Sequence, residues 1–266
     1  MKSILASLVL VFSINIWADT SDLCGQLYKN SVQFANQIQA RPASDQNHLT
    51  IVTWNAHKYA DANYFFDLKK IAETSDILMV QEAMHSTGWQ LAFASHFQFS
   101  FSFFKSFCLQ TQIATGVQTA ARFLLTQNEN IVSLDTEPFS FTPKVTGLSR
   151  IEIPGHGSVL LVNTHALNFN TGDLFERQID QVVARIASEK GPIIWGGDFN
   201  SWTPGRKEYL NEKTKTLGMT HIQPANDNRN LILDHIYVRG FTVESAEVLT
   251  QSSSDHQPLK AVLKFK

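Results

Sequence analysis

The chain has 266 residues, 43% of them hydrophobic and 17% charged. That suits one large globular domain or at most two small ones. Its formal net charge of −2 and isoelectric point near 6.5 exclude a chain that is basic throughout, as a dedicated tight DNA binder would be. Local cations around a cleft would still suffice for a nuclease.

The first eighteen residues have the layout of a secretory signal. Lys2 supplies the positive start, Ile4 to Ile16 is mostly apolar, and Ala18 precedes a plausible cut before Asp19. The run is short for a membrane span, so an uncleaved anchor is the weaker alternative. The expected location is periplasmic or secreted. Residues 19–48 read as a helix-bearing extension that ends at Arg41-Pro42, and residues 49–266 as the main domain. Cys24 and Cys108 are the two cysteines. In an exported chain they permit a disulfide, with two free thiols as the alternative.

Beyond the extension, strands and helices alternate. Leu49 to Trp54 is a β-rich apolar run. Tyr64, Phe65, Leu68, Ile71 and Ala72 recur at helical spacing. Ile77 to Val80 is fully apolar, as a buried strand would be, and residues 87–95 suggest a helix. Phe97 to Phe103 alternates with period two, which sets four phenylalanines on one strand face. That face is expected to meet the core; a lipid-contacting surface is the alternative. Strands are expected around 118–126, 130–134, 147–153 and 158–164. Phe175, Ile179, Val182, Val183 and Ile186 form a helical stripe that Asp173 with Glu176 can cap. Ile193 to Trp195 is a strand, 206–217 a helix, and 231–238, 241–249 and 259–265 are strands. The pattern predicts an α/β layered sandwich.

Polar residues stand at strand ends, one after another: Asn55, Glu82, His165, Asp198 with Asn200, Asp234 with His235, and Asp255 with His256. Strand ends are where loops converge on a rigid frame. Oxygen ligands such as Asn55, Glu82 and Asp255 suit a hard cation: Mg²⁺, Mn²⁺ or Ca²⁺. A histidine with a carboxylate partner suits proton transfer. In extended chain Asp198 and Asn200 would point to one side, able to hold a water and a phosphoryl oxygen. Each residue singly has an ordinary explanation as a strand end, a turn or a surface pair.

In order, Trp54-Asn55, Gln81-Glu82, Asn163-Thr164-His165, Gly197-Asp198-Phe199-Asn200, Leu233-Asp234-His235-Ile236 and Ser254-Asp255-His256-Gln257-Pro258 resemble the six successive motifs of the endonuclease/exonuclease/phosphatase superfamily, the DNase I-like group. Trp54 to Lys58, His165 to Phe169, and Gly191-Pro192 ahead of Gly197 to Asn200 are most similar to its bacterial YafD-like branch. The resemblance implies a two-sheet β-sandwich flanked by helices, in four layers, with the site where the strand ends gather. It also implies roles. Glu82 would be the main metal ligand, with Asn55 and Asp255 nearby. Asp234 would orient His256. Asp198 would position or deprotonate the water, and Asn200 and His165 would bind the phosphoryl group. Whether Asp198 or His256 takes the proton stays open.

The sequence also departs from the family pattern. Some DNA-repair members carry an aspartate where His57 stands, and the tyrosine motif of the abasic-site enzymes has no clear match. The missing tyrosine motif and the export signal argue against a repair role. His57 and Lys58 are candidate phosphate contacts. The expected function is exported, metal-dependent phosphodiester hydrolysis by in-line water attack, with nucleic acid the leading substrate. Phospholipid, sphingomyelin-type or small phosphoesters are the alternative substrates. A non-catalytic binding protein or a toxin subunit that keeps the fold is the alternative class. No obligate protein partner is evident.

Overall fold

The computed structural model describes residues 24, 32–35, 47–169 and 171–266; the expected leader, residues 1–18, lies outside them. Two sheets face each other. In chain order the strands are β1 Val32–Ala35, β2 His48–Asn55, β3 Ile77–Met84, β4 Ser100–Cys108, β5 Ala114–Ala121, β6 Thr126–Thr136, β7 Pro143–Ile153, β8 Gly157–His165, β9 Ile193–Asp198, β10 Thr220–His221, β11 Asp234–Arg239, β12 Phe241–Val248 and β13 Leu259–Phe265. One sheet runs β1-β4-β5-β3-β2-β13-β12 and the other β10-β11-β9-β8-β7-β6. The helices are α1 Tyr64–Glu73, α2 Thr87–Leu91, α3 Gly172–Ile186 and α4 Pro204–Thr216.

Hydrophobic burial divides into three principal layers. Ile51, Ile77, Met79, Leu161, Ile194 and Ile236 fill the space between the sheets. Val52, Trp54, Leu78 and Val80 face outward from the first sheet onto Tyr64, Leu68 and Ile71 of α1. Val162, Trp195 and Tyr237 face outward from the second onto Phe175, Ile179 and Val182 of α3 and Leu210 of α4. Strands covered on both faces read as unbroken apolar runs, as Leu49–Trp54 and Ile77–Val80 do. The result is the expected four-layer sandwich.

One polar link crosses the middle. Gln81 Nε2 donates to Asn163 Oδ1 at 2.7 Å, and Asn163 Nδ2 donates to the Gln118 carbonyl at 3.0 Å. These amides tie β3 and β5 to β8 just below the end where the site lies. They must find partners there, because burying an amide unpaired is costly.

The structure corrects several expectations. Within the extension, Val32–Ala35 forms an edge strand, unforeseen in the sequence, paired antiparallel with β4; the helix expected in the extension otherwise lies outside the described residues. The alternating phenylalanine strand begins at Ser100. A π-type turn, Ala92–His96, continues the preceding helix, with Phe97 N bonded to Ala92 O, and Gln98 reverses the chain at φ 58°. Phe97, Phe99, Phe101 and Phe103 are all buried, so they belong to the core, not to a lipid contact. At the start of α3, Thr171 is the N-cap; its hydroxyl donates to Asp173, and no side chain caps the helix backbone. Cys24 and Cys108 are joined in a disulfide spanning 84 residues.

Candidate active site

The site forms where β2, β8, β9 and β11 end together. In register, His165 of β8 lies beside Asp198 of β9, and Asp198 lies beside Asp234 of β11. Three functional side chains are therefore neighbours because two strands finish and an antiparallel third begins at one level. Asp234 and His235 open their strand instead of interrupting one: Phe199 N bonds to Leu233 O just beyond it.

Asp198 is the centre. Its Oδ2 accepts from Asn55 Nδ2 at 2.9 Å and lies 3.6 Å from His165 Nε2 and 3.9 Å from His256 Nε2. Burial, with the charge of Asp234 added, outweighs His256, Asn55 and the Asn200 amide and pushes its carboxyl up to about 6. His256 Nδ1 meets Asp234 Oδ2 at 2.8 Å. Burial works against its charge, but Asp234, then Asp198 and Asp255, hold the imidazolium up to about 10. His165 is neutral by the opposite balance. Burial, then Lys144, His256 and Lys58, press it well below its usual range, and Lys144 Nζ donates to its Nε2 at 3.2 Å.

The loop bearing His256 is fastened to β2 twice. Trp54 Nε1 donates to the His256 carbonyl at 2.7 Å, and Ser254 Oγ donates to the Asn55 carbonyl at 2.7 Å. Asn200 does not continue an extended strand. It turns at φ 48°, its N–H donates to Asp198 Oδ1 at 3.0 Å, and its amide Nδ2 donates to the Ala166 carbonyl at 2.9 Å. This is a side-chain-closed turn, so Asn200 holds the loop after β8 against the loop after β9.

Glu82 and Asp255 stand apart from that cluster. Glu82 lies at a bulge in β3, between Val80 and Ala83, with φ 50°, a conformation retained only where surroundings enforce it. Its carboxylate holds the Lys58 ammonium. Asp255 is mostly exposed, 3.7 Å from His57 Nδ1. His57, Lys58 and Tyr59 are left-handed in succession, at φ 45°, 54° and 56°, and His57 N donates to Asn55 Oδ1 at 3.0 Å. Asn55, Glu82 and Asp255 thus border one left-handed turn.

Two groupings are relevant to a cation. Ligand atoms of Asp198, Asp234 and His256 lie within 4.8 Å of one another, but the His256 imidazolium already supplies positive charge there. At Glu82, by contrast, a lysine ammonium sits on the carboxylate, and Asn55 and Asp255 offer oxygens to His57 of the same turn. A hard divalent ion fits that donor set.

Several contributors were given no role by the sequence. Lys144 opens β7 in no motif, and the Trp54 indole looked like core. Ser201, His235 and His221 form a chain that runs from the interior to a half-buried end. Ser201 Oγ donates to Ile232 O at 3.1 Å, so it accepts from His235 Nε2 at 2.6 Å. His235 Nδ1 then accepts from His221 Nε2 at 2.9 Å.

A four-layer sandwich with carboxylates and histidines gathered at its strand ends is the architecture of the DNase I-like superfamily, whose members are phosphoester hydrolases. Residues 40–256 match the model of the Endonuclease/Exonuclease/phosphatase family, and the chain belongs to that family. Within it, the chain is similar to the UPF0294 proteins, the YafD-like group. It is 30% identical over 224 residues to one from Yersinia enterocolitica, covering 82% of this chain and 84% of that one. Among solved structures, an endonuclease/exonuclease/phosphatase from Beutenbergia cavernae superposes with a TM-score of 0.66 at 15% identity, covering 82% of this chain and 72% of that one. Sphingomyelinase C from Streptomyces griseocarneus does so at 0.58 and 15%, covering 81% and 99%. These two likenesses concern the fold.

Proposed function

We propose that the chain is an exported, divalent-metal-dependent phosphodiesterase that attacks its substrate with water. The observation that carries this is the opposed pair of Asp198 and His256, whose titrating atoms lie 3.9 Å apart. A carboxyl raised to about 6 is largely ionised at neutral pH yet basic enough to accept a proton. An imidazolium held up to about 10 stays charged beside it. Two titratable groups pushed apart by their surroundings are how acid and base roles are divided.

Asp198 then takes the proton of the attacking water, and His256 Nε2 donates to a phosphoryl oxygen as charge builds on it. On this reading Asp198, not His256, is the base. Asp234 keeps His256 charged and oriented. Lys144, through His165, adds positive potential at the β8 end. Asn55 fixes the Asp198 carboxylate. Glu82, with Asn55 and Asp255, would hold the metal, whose chemistry when bound is to neutralise phosphoryl oxygen charge. Lys58 and His57 are placed to contact phosphate on the same turn.

The Cys24–Cys108 disulfide supports export, since such bonds persist in oxidising compartments. The nucleic-acid reading receives less support. The cations nearest the site are matched with carboxylates: Lys58 with Glu82, Lys144 with Glu137, and Arg229 with Asp227.

Supercoiled plasmid, RNA, sphingomyelin and bis-p-nitrophenyl phosphate, each with Mg²⁺, Mn²⁺ or Ca²⁺ and with chelator, form the test. Turnover of at least one that stops with chelator is the expected result. No turnover of any with any of the three metals would return the chain to the binding-protein class.

A further inference from the structure

Four aromatic side chains stand exposed next to the reacting groups: Phe139 at 83%, Phe141 at 78%, Phe169 at 64% and Trp202 at 46%. Three loops carry them, and hydrogen bonds fasten these loops into one rim. Trp202 Nε1 donates to Asn168 Oδ1 at 3.0 Å, Asn168 N donates to Glu137 Oε1 at 2.7 Å, and Phe141 N donates to Glu137 O at 2.9 Å. The rim adjoins the site. Trp202 follows Asn200 by two residues, and Glu137 lies 3.6 Å from Lys144, which reaches His165. One exposed ring is ordinary; four on one rim mark an interaction surface.

Charge selects the occupant. The segment Pro138-Phe139-Ser140-Phe141-Thr142-Pro143 contains no ionisable residue, nor do Ala166-Leu167-Asn168-Phe169 or Ser201-Trp202-Thr203-Pro204-Gly205. The guanidinium of Arg206 lies 5.1 Å from the Trp202 ring centroid, but it donates to the carbonyls of Leu167, Asn168 and Asn200. Single-stranded nucleic acid needs a cationic track as well as stacking rings, and these loops supply rings alone. An uncharged aromatic surface fits the membrane–water interface, where amphipathic rings settle at headgroup level. A phospholipid layer presents that interface and a phosphodiester together.

We propose that this rim docks the protein on a zwitterionic phospholipid surface and offers a headgroup phosphodiester to Asp198 and His256. The inference rests on the phosphodiesterase reading of the site.

Docking is separable from turnover. Purified protein carrying His256→Ala would be mixed with phosphatidylcholine vesicles, and binding read by sedimentation and by Trp202 emission, with Trp202→Phe as the blank. Binding that persists in 0.5 M salt, with a blue-shifted Trp202, is expected. Adding Phe139→Ser and Phe141→Ser should weaken it at least tenfold. With His256 intact, the same two substitutions should leave hydrolysis of soluble bis-p-nitrophenyl phosphate within twofold. Both rings are surface-exposed, and circular dichroism checks the fold. Absence of vesicle binding, binding that requires anionic lipid and vanishes in salt, equal binding by the serine variant, or single-stranded oligonucleotide binding lost in that variant would each overturn the proposal. Failure of the soluble assay with vesicle binding intact would instead sink the catalytic reading and leave the docking surface standing.

Discussion

Replacing Asp234 by Asn should move the pH–rate profile, not merely lower it. Asp234 Oδ2 faces His256 Nδ1 at 2.8 Å and is the strongest of the carboxylates that hold the imidazolium up to about 10 against burial. Asn keeps an oxygen to accept from Nδ1–H but removes the charge. With that charge gone only Asp198 and Asp255 oppose the burial, and the histidine falls back to about its ordinary 6.5. At pH 8 the protonated fraction then drops from nearly all to about 3%, a loss of about thirtyfold or more in rate if the imidazolium is the working form. Asp198 loses a repelling neighbour, which lowers its carboxyl, and, once His256 is neutral, an attracting one, which raises it. Wild type should be active on a plateau rising through about 6 and falling near 10; the variant should keep an optimum only near or below pH 6. The assay is hydrolysis of bis-p-nitrophenyl phosphate with saturating Mg²⁺ from pH 5 to 10.5, with circular dichroism at each pH. A uniform loss at every pH would show that Asp234 does not act through the charge of His256.

Other outcomes follow from packing and titration. Cys108→Ser opens a span of 84 residues; chain entropy puts the loss of stability at about 4.5 kcal/mol, read by urea unfolding, and an unchanged midpoint would contradict it. Gly197 has φ 150°, and an added Cβ would sit 2.0 Å from the Thr164 carbonyl oxygen. Gly197→Ala should therefore break the β8–β9 junction and cost activity and melting temperature together; a variant that melts like wild type would refute the close approach. Burial chiefly holds His85 and His221 down to about 4, and His165 and His235 well below 6.5. The unfolded chain thus binds more protons as pH falls from 6.5 to about 4, and stability present above 6.5 is lost through that window. Asp198 and Asp76, both raised by burial, work the other way, two groups against four. A melting temperature that rises between pH 6.5 and 4.5 would contradict this balance.

Most of the frame was legible because both faces of its central strands are buried. Leu49–Trp54 and Ile77–Val80 could hardly be anything else. The site was legible for a related reason: polar residues ending apolar strands must gather wherever the strands end. Asn55, His165, Asp198, Asn200, Asp234 and His256 do gather. What pattern could not supply was how each is used. Asn200 looked extended, yet its amide is spent on the Ala166 carbonyl. Glu82 and Asp255 came as ligands, but only the left-handed turn His57–Tyr59 shows how Lys58 reaches the Glu82 carboxylate. Lys144 was invisible, since one lysine at a strand start has no periodicity. Within the extension, Val32–Ala35 went unnoticed because it is a four-residue edge strand whose partner lies some seventy positions away, and short edge strands carry almost no local signal.

The most direct measurement compares wild type with His256→Ala on bis-p-nitrophenyl phosphate at pH 8, with Mg²⁺ and then with chelator. The account predicts metal-dependent turnover in wild type and a loss of about a hundred- to a thousandfold in the variant, the usual cost of removing one group that stabilises developing charge. Equal rates in the two proteins, or turnover indifferent to chelator, would contradict it.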